Sequence, residues 1–201
     1  MVSVREINEQ VVVPTSQGVL VEICHNVIAR TWASKPSKRY VDMFVDSVGK
    51  TAIGILHWTP KYKKAEIYNR MTDNMVSKYW GGSITTIQHL KDIGKHTAEN
   101  EYSHTAWRKG MYDFLRSEYS IPIQDEALTA TFSKKISRAR RYGEFNTKRD
   151  YAIIMAIGNS GSVGKFGKPA GWDAEKMLEL AVKDNPTRNR WDAIESYYPK
   201  P

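Results

Sequence analysis

The sequence predicts an α+β fold, mainly helical, with one small sheet or hairpin early in the chain and a single domain over residues 1–201. Three observations lead there. Apolar residues recur at three- and four-residue steps along most of the chain, the pattern of amphipathic helices. One stretch, residues 50–59 (Lys-Thr-Ala-Ile-Gly-Ile-Leu-His-Trp-Thr), is instead rich in β-formers, interrupted by Gly54 and closed by Pro60. Finally, 201 residues at 41% hydrophobic and 26% charged suit one ordinary core, with no repeat and no linker long enough to separate two domains.

The elements follow in order. The turn Pro14-Thr15-Ser16-Gln17-Gly18 leads into a helix over 19–32, with Ser16 as its N-cap. Leu20, Ile23, Val27 and Ile28 form its apolar stripe, and Glu22 stands at the stripe's edge. Pro36 breaks that helix. Tyr40, Val41, Phe44 and Val45 suggest a short second helix ending near Asp46-Ser47-Val48-Gly49. The β-rich run 50–59 reads as a strand or hairpin, with Gly54 marking a close approach to the backbone. Helices are expected over 64–78, 84–93, 103–118, 125–141, 148–157 and 172–183, and the end of the chain, 188–198, is a short amphipathic helix. A lobe carrying the small sheet spans about 37–80, and the remainder forms a helical lobe.

Composition excludes several classes. No apolar run approaches the roughly 20 residues needed to cross a bilayer, so no membrane partner is expected. The start, Met1-Val-Ser-Val-Arg-Glu, lacks the apolar segment of a secretory signal. The single cysteine, Cys24, excludes an internal disulfide, and its place in the helical stripe predicts a buried thiol. Five histidines (His25, His57, His89, His96, His104) show no His-Glu-x-x-His spacing, so neither a metal nor another cofactor is expected. Residues 158–165 are similar to a phosphate-binding loop but fail its spacing, and Phe166 replaces the required Ser or Thr.

Two carboxylates carry the candidate chemistry. Cleaving a glycosidic bond needs a proton donor for the leaving oxygen and a second carboxylate across the sugar ring. The donor belongs in a partly apolar wall, which keeps it protonated, and the second group in a polar loop, where it stays ionised. Glu22, between Val21 and Ile23, has the first neighbourhood. Asp46, in the Asp-Ser-Val-Gly turn, has the second. Either residue alone has an ordinary structural role open to it, as a solvated helix charge or a turn cap. Their succession, followed by Thr51 and the Gly54 strand, is what singles them out. Asp42, one turn earlier on the expected second helix, is the competing base, while Glu66 and Glu101 have no supporting context.

That succession resembles the lysozyme-like superfamily, most of all its chitosanases and more loosely phage-type lysozymes. The chitosanases carry a helix-borne Glu, then a loop Asp-Gly-Arg-Gly-Tyr-Thr running into a strand Gly-Ile-Ile-Gly-Phe-Thr. Glu22 matches the acid, residues 46–51 (Asp-Ser-Val-Gly-Lys-Thr) the loop, and residues 52–59 the strand. Ser47-Val48 replaces Gly-Arg. The resemblance covers about residues 18–60. It implies two lobes around a cleft, with Glu22 as general acid, Asp46 as general base and Thr51 positioning the attacking water. It also implies inversion at the anomeric centre, with carboxyls roughly 6.5–9.5 Å apart. Gly54, His57 and Trp58 would line the substrate site, Trp58 having a core role as its alternative.

Charge bears on the substrate. At net +8 and pI about 9.4, the chain is drawn to polyanions and repelled by polycationic chitosan. Anionic bacterial peptidoglycan is therefore the expected substrate, cleaved at its β-1,4 linkages, with chitosan as the alternative. A leaderless basic hydrolase of this kind resembles phage lysins, or a toxin delivered to the cell wall, and is expected to be monomeric. The densest basic run, residues 134–141 with Lys148 and Arg149, reads either as a solvated helix face or as a surface for an anionic polymer. It also raises the rival class, a nucleic-acid-binding or non-catalytic glycan-binding protein. No nucleic-acid-binding motif accompanies it, which argues against nucleic acid as a partner.

Overall fold

The computed structural model describes residues 17–29, 36–45, 50–60, 65–94, 102–160 and 173–201. Asp46, the expected cap Ser16, Glu101 and the glycine-rich stretch from Gly161 to Gly171 lie outside the described residues. The described chain is mostly helical with one two-stranded antiparallel sheet. It divides into two compact units, Met1–Ser34 with Thr129–Pro201, and Lys35–Leu128.

The unit built from both chain ends is helical. Helix α1, Gln17–Ile23, passes directly into a π-helical segment, Cys24–Ala29. Together they bury Leu20, Ile23, Cys24, Val27, Ile28 and Ala29, the stripe expected from the sequence plus the free thiol. Helix α7, Lys148–Ser160, lies at the centre of this unit, packed against α1, the π segment, α8 (Ala174–Asp184) and α9 (Asn189–Tyr197). Residues 151–157 of α7 are all buried, because a helix that is apolar all round is stable only when surrounded. Each of its large aliphatic side chains contributes about 1.5–3 kcal/mol on burial. Thr147 and Asp150 start α7 as a reciprocal cap. Thr147 Oγ1 accepts from the Asp150 N–H at 3.1 Å, and Asp150 Oδ2 accepts from the Thr147 N–H at 2.9 Å. This arrangement fixes where Lys148 and Arg149 emerge. Asp173 caps α8 in the simpler way, accepting from the Lys176 N–H at 2.7 Å.

The second unit carries the sheet. Helix α2, Pro36–Tyr40, starts on its proline, whose missing N–H would have been unpaired there anyway. Strand β1, Met43–Val45, pairs with β2, Thr51–Ile53, in the register Met43↔Ile53, Phe44↔Ala52, Val45↔Thr51. The helix expected over residues 40–45 is thus corrected: α2 ends at Tyr40, and Met43–Val45 is a strand. Residues 40–45 satisfy both periodicities, and the partner strand decides between them, since β2 supplies the hydrogen bonds that a six-residue helix would lack.

A 3-10 helix, Glu66–Arg70, and α3, Asp73–Tyr79, replace the single helix expected over 64–78. The break is at Thr72, whose hydroxyl caps α3 by accepting from the Met75 N–H at 3.3 Å. Helices α4 (Ile87–Gly94) and α5 (Tyr102–Leu115) follow. Trp107 and Gly110 on α5 meet Trp80, whose indole donates to the Trp107 carbonyl at 2.9 Å. Helix α6, Ser120–Ala139, starts five residues earlier than expected, because Pro122 falls in its first turn, where proline is tolerated. Its residues 120–128 belong to this unit. Among the described residues no helix is long and apolar enough to cross a membrane.

Candidate functional site

Of the expected acid and base, only Glu22 is described, and it belongs to the first unit. It sits on the last turn of α1, immediately before the chain widens into the π segment. π-helical turns are rare and concentrate at functional positions, so this widening is a signal that periodicity alone does not carry. The Glu22 side chain is 49% exposed and holds Lys148 Nζ at 3.1 and 3.3 Å through its two oxygens. The apolar wall expected around it is therefore corrected to a half-open, polar setting. The cause is helical phase: the buried stripe runs through Leu20 and Ile23, and Glu22 points off it toward the first turn of α7.

Two further groups complete this locus. Asn26, on the π segment, donates from Nδ2 to the Tyr198 hydroxyl at 3.0 Å. Burial pushes the Tyr198 phenol up; Asn26 pulls it down, and the nearby Glu22 charge raises it again. Tyr198 is anchored through its main chain: its N–H donates to the Ile194 carbonyl at 2.8 Å, and its carbonyl accepts from Arg149. Arg149 is buried and also bridges Glu175 and Glu195, with its Nη2 at 2.6 Å from Glu195 Oε1. Burial opposes the guanidinium charge, but the two carboxylates outweigh burial and hold its pKa above the usual arginine value. In return the Arg149 hydrogen bond, against some burial, holds Glu175 below the ordinary carboxylate range.

The second unit holds the other expected residues. Thr51 and Ile53 are on β2, and Ile53 forms an antiparallel bridge with Trp58 through two 2.9 Å hydrogen bonds. Four residues, 54–57, turn the chain between them. Gly54 has φ +68° and His57 has φ +53°, both left-handed, a conformation that glycine adopts without strain and histidine at some cost. A larger residue at 54 would force its neighbours to shift: a Cβ there would lie 2.3 Å from Gln124 Oε1 and 3.1 Å from the Trp58 ring.

Buried polar groups hold this turn in place. Gln124 Oε1 accepts from the Ile55 N–H at 2.8 Å, while its amide nitrogen donates to the Tyr40 carbonyl and Ser120 Oγ, both at 2.8 Å. Arg39 Nε donates to the Ile55 carbonyl at 2.6 Å. Both Gln124 and Arg39 are fully buried, and neither is singled out by the sequence. Their signal, a polar side chain within an apolar helical stripe, is ambiguous until the turn they clamp is known.

The turn presents His57 against Asp42, with Nε2 and Oδ2 3.1 Å apart, and the Phe44 ring packs edge-on against the imidazole at 4.7 Å between centroids. Asp42, expected on a helix, instead leads into β1 and also anchors the turn, its carbonyl accepting from the Gly54 N–H at 2.9 Å. Trp58 is 8% exposed and takes the core role of the two open to it. Thr51 is buried as well, and among the described residues neither its hydroxyl nor the Trp58 indole N–H has a hydrogen-bond partner. Buried polar atoms are usually paired, so these two are departures from the norm, and both fall on expected site residues.

No family model, no curated protein and no solved structure matches this chain. Its chemistry has to be read from its own residues. Among those described, no three His, Cys, Asp or Glu side chains are grouped to hold a metal ion. The basic run is divided by the fold. Arg138, Arg140 and Arg141 are all exposed, Arg140 while also donating to the Phe145 carbonyl at 3.1 Å and to Tyr151, whereas the Lys135 amine, its pKa lowered by burial, donates to the Gly158 carbonyl at 3.1 Å.

Proposed function

We propose that this chain is a glycoside hydrolase of the lysozyme-like kind, cleaving the β-1,4-linked glycan of bacterial peptidoglycan by inversion. Glu22 is the general acid, Asp46 the general base, and Thr51 the hydroxyl that positions the attacking water. The observation that carries this reading is the hairpin. The stretch where the resemblance calls for a strand after a catalytic loop folds as β2, with Thr51 at its first position and Gly54, against Gln124, just past its end.

The environment of Glu22 bears on how such an acid works. A carboxyl donating a proton to a leaving oxygen needs shielding from water, and Glu22 is half exposed beside Lys148. In this proposal the bound glycan supplies the shielding by displacing solvent, and Lys148 interacts with the polymer as well as with the acid. The net charge of +8 supports an anionic wall polymer over chitosan. The same charge fits delivery to the wall as a phage lysin or secreted toxin.

One observation favours a second assignment of the base. Asp42 is paired with His57, whose strained conformation is held by a buried clamp, and an Asp–His pair of this kind is a recurrent proton-transfer arrangement. Clearance of purified peptidoglycan by wild type, Glu22→Gln, Asp46→Asn and Asp42→Asn tests both assignments. Loss of at least about a hundredfold in the first two variants, with Asp42→Asn active, is expected. An active Asp46→Asn beside an inactive Asp42→Asn transfers the base role. Walls bound but not cleared by wild type reduce the chain to a glycan-binding module.

A further inference from the structure

Cations and tyrosines alternate along one side of α5. Arg108 and Tyr112 are one turn apart on the same helix face, and Arg116 follows directly after the helix ends. The Arg116 guanidinium lies over the Tyr112 ring at 3.4 Å, and its Nη1 donates to the Tyr112 carbonyl at 3.3 Å. In the turn before α6, Tyr119 meets Lys78 from the last turn of α3, with Nζ 4.6 Å from the Tyr119 ring and 5.4 Å from that of Tyr79. The three steps from Arg116 to Tyr119 span at most about 11 Å of chain, so the two cation–tyrosine pairs form one stripe. From Arg108 to Arg116 it runs about 12 Å, the scale of a disaccharide. These residues all belong to the Lys35–Leu128 unit.

The stripe is open, and its charge is not neutralised within the fold. Tyr112 is 47% and Tyr119 41% exposed, so the core does not account for either ring. Among the described residues no carboxylate is paired with Lys78, Arg108 or Arg116, and Asp113 is taken by Lys109 at 3.0 Å. A cation held over a ring keeps its charge but loses freedom, so it meets an anion at a smaller entropic cost. Arg116 uses one of its N–H donors on the Tyr112 carbonyl and keeps the rest of its fork for a carboxylate. The footing is firm. The Trp80 indole bonded to the Trp107 carbonyl, and Tyr79 edge-on to buried Phe114 at 5.6 Å, hold the end of α3 on α5. Ser117 Oγ donates to the Phe114 carbonyl at 2.7 Å and fixes the turn that carries Tyr119.

We propose that this stripe is a second binding surface for peptidoglycan, one that uses none of the catalytic residues. The tyrosine rings lie against the apolar faces of the sugars, and Arg116 and Lys78 take carboxylates of the peptides that the sugars carry. The identity of the polymer rests on the hydrolase reading. Charge spacing favours it over nucleic acid. A single nucleic-acid strand carries a negative charge about every 3.4 Å, and Asp113 and Glu118, both exposed along the stripe, would repel it. A glycan whose carboxylates hang from alternate sugars meets the cations and passes between the acids.

The test measures binding of the full chain to purified peptidoglycan at about 0.1 M salt, in a Glu22→Gln background so that the walls stay intact. Arg116→Gln and Tyr112→Ala are each expected to weaken binding about tenfold, the scale of one hydrogen bond to a charged group. Tyr112→Phe, which keeps the ring, should bind like the parent. Lys183→Gln removes the same charge from an exposed position on α8 and should also bind like the parent. Undiminished binding by Arg116→Gln and Tyr112→Ala, an equal loss in Lys183→Gln, or no binding by the folded parent would each overturn the proposal. Retention by single-stranded DNA in place of walls, abolished by the same substitutions, would overturn it in favour of nucleic acid.

Hydrolysis is read separately, as reducing ends released from soluble peptidoglycan fragments by chains with Glu22 intact. Arg116→Gln is expected to release them at the wild-type rate, and a slower rate would place Arg116 in the catalytic site and overturn the separate surface. A wild type that releases none sinks the hydrolase reading, while the binding losses still decide the stripe. Release by wild type, with wall binding indifferent to Arg116 and Tyr112, sinks the stripe alone.

Discussion

Glu22 and Gly54 are the residues on which most of the local chemistry turns, and the sequence exposes them unequally. Gly54 is legible as a place of close approach, because a glycine inside a β-rich run marks a bulge, a bend or a neighbour too near for a side chain. What approaches it, Gln124, lies 69 positions beyond the adjoining Ile55 and cannot be read from the sequence. Gly54→Ala combines a left-handed φ with a Cβ 2.3 Å from Gln124 Oε1. It is expected to cost about 2–4 kcal/mol in chemical denaturation. A variant as stable as wild type would mean that Gln124 does not clamp this turn. Glu22 is legible as a carboxylate at the edge of an apolar stripe, but its partner Lys148 is 126 positions away. A helical pattern gives phase and not neighbours, so it places Glu22 at the rim without showing that the rim is polar.

At the scale of elements, period and capping decide what is readable. The long helices stand out because their apolar spacing extends over three or more turns, and the central α7 because residues 151–157 are apolar without interruption. Residues 40–45 mislead because so short a stretch fits either period, and the 64–78 stretch because the cap at Thr72 outweighs continuing periodicity.

Two predictions belong here. On α5, a Cβ at Gly110 would lie 2.4 Å from the Trp80 ring, so Gly110→Ala should destabilise by about 1–3 kcal/mol. Trp80→Leu should recover part of that in a double-mutant cycle, and independent effects would place the clash elsewhere. In the first unit, the first turn of α7 is tied to α8 and α9 by Arg149 with Glu175 and Glu195. Because Glu175 is held below its ordinary value of 4.5, its contribution to stability is fully present above about pH 4.5. That contribution is lost as pH falls below this value toward the folded-state pKa. Urea midpoints across this range should fall with acid in wild type and fall less steeply in Glu175→Gln, and parallel slopes would remove Glu175 from the acid response.

For the whole molecule, charge is the property the sequence states most directly. A net charge of +8 draws the chain toward polyanions, which in the proposed function are wall polymers, through long-range fields that salt screens, the screening length shrinking from about 10 Å at 0.1 M to about 3 Å at 1 M. Binding to purified walls should weaken progressively over that range, and salt-independent binding would assign recognition to short-range contacts. Which basic residues serve the fold is hidden in the sequence, since Lys135 and Arg140 are taken up by carbonyls that only the folded chain brings near.

The functional assignment depends on a glycan being cut. Its most direct test is the release of new reducing ends from purified peptidoglycan, followed by anomeric proton resonances and run beside chitosan. Wild type is expected to release reducing ends from peptidoglycan in excess of chitosan, first in the inverted anomer, while Glu22→Gln releases none above background. No release from either polymer by the folded wild-type chain, or equal release by Glu22→Gln, would contradict the assignment.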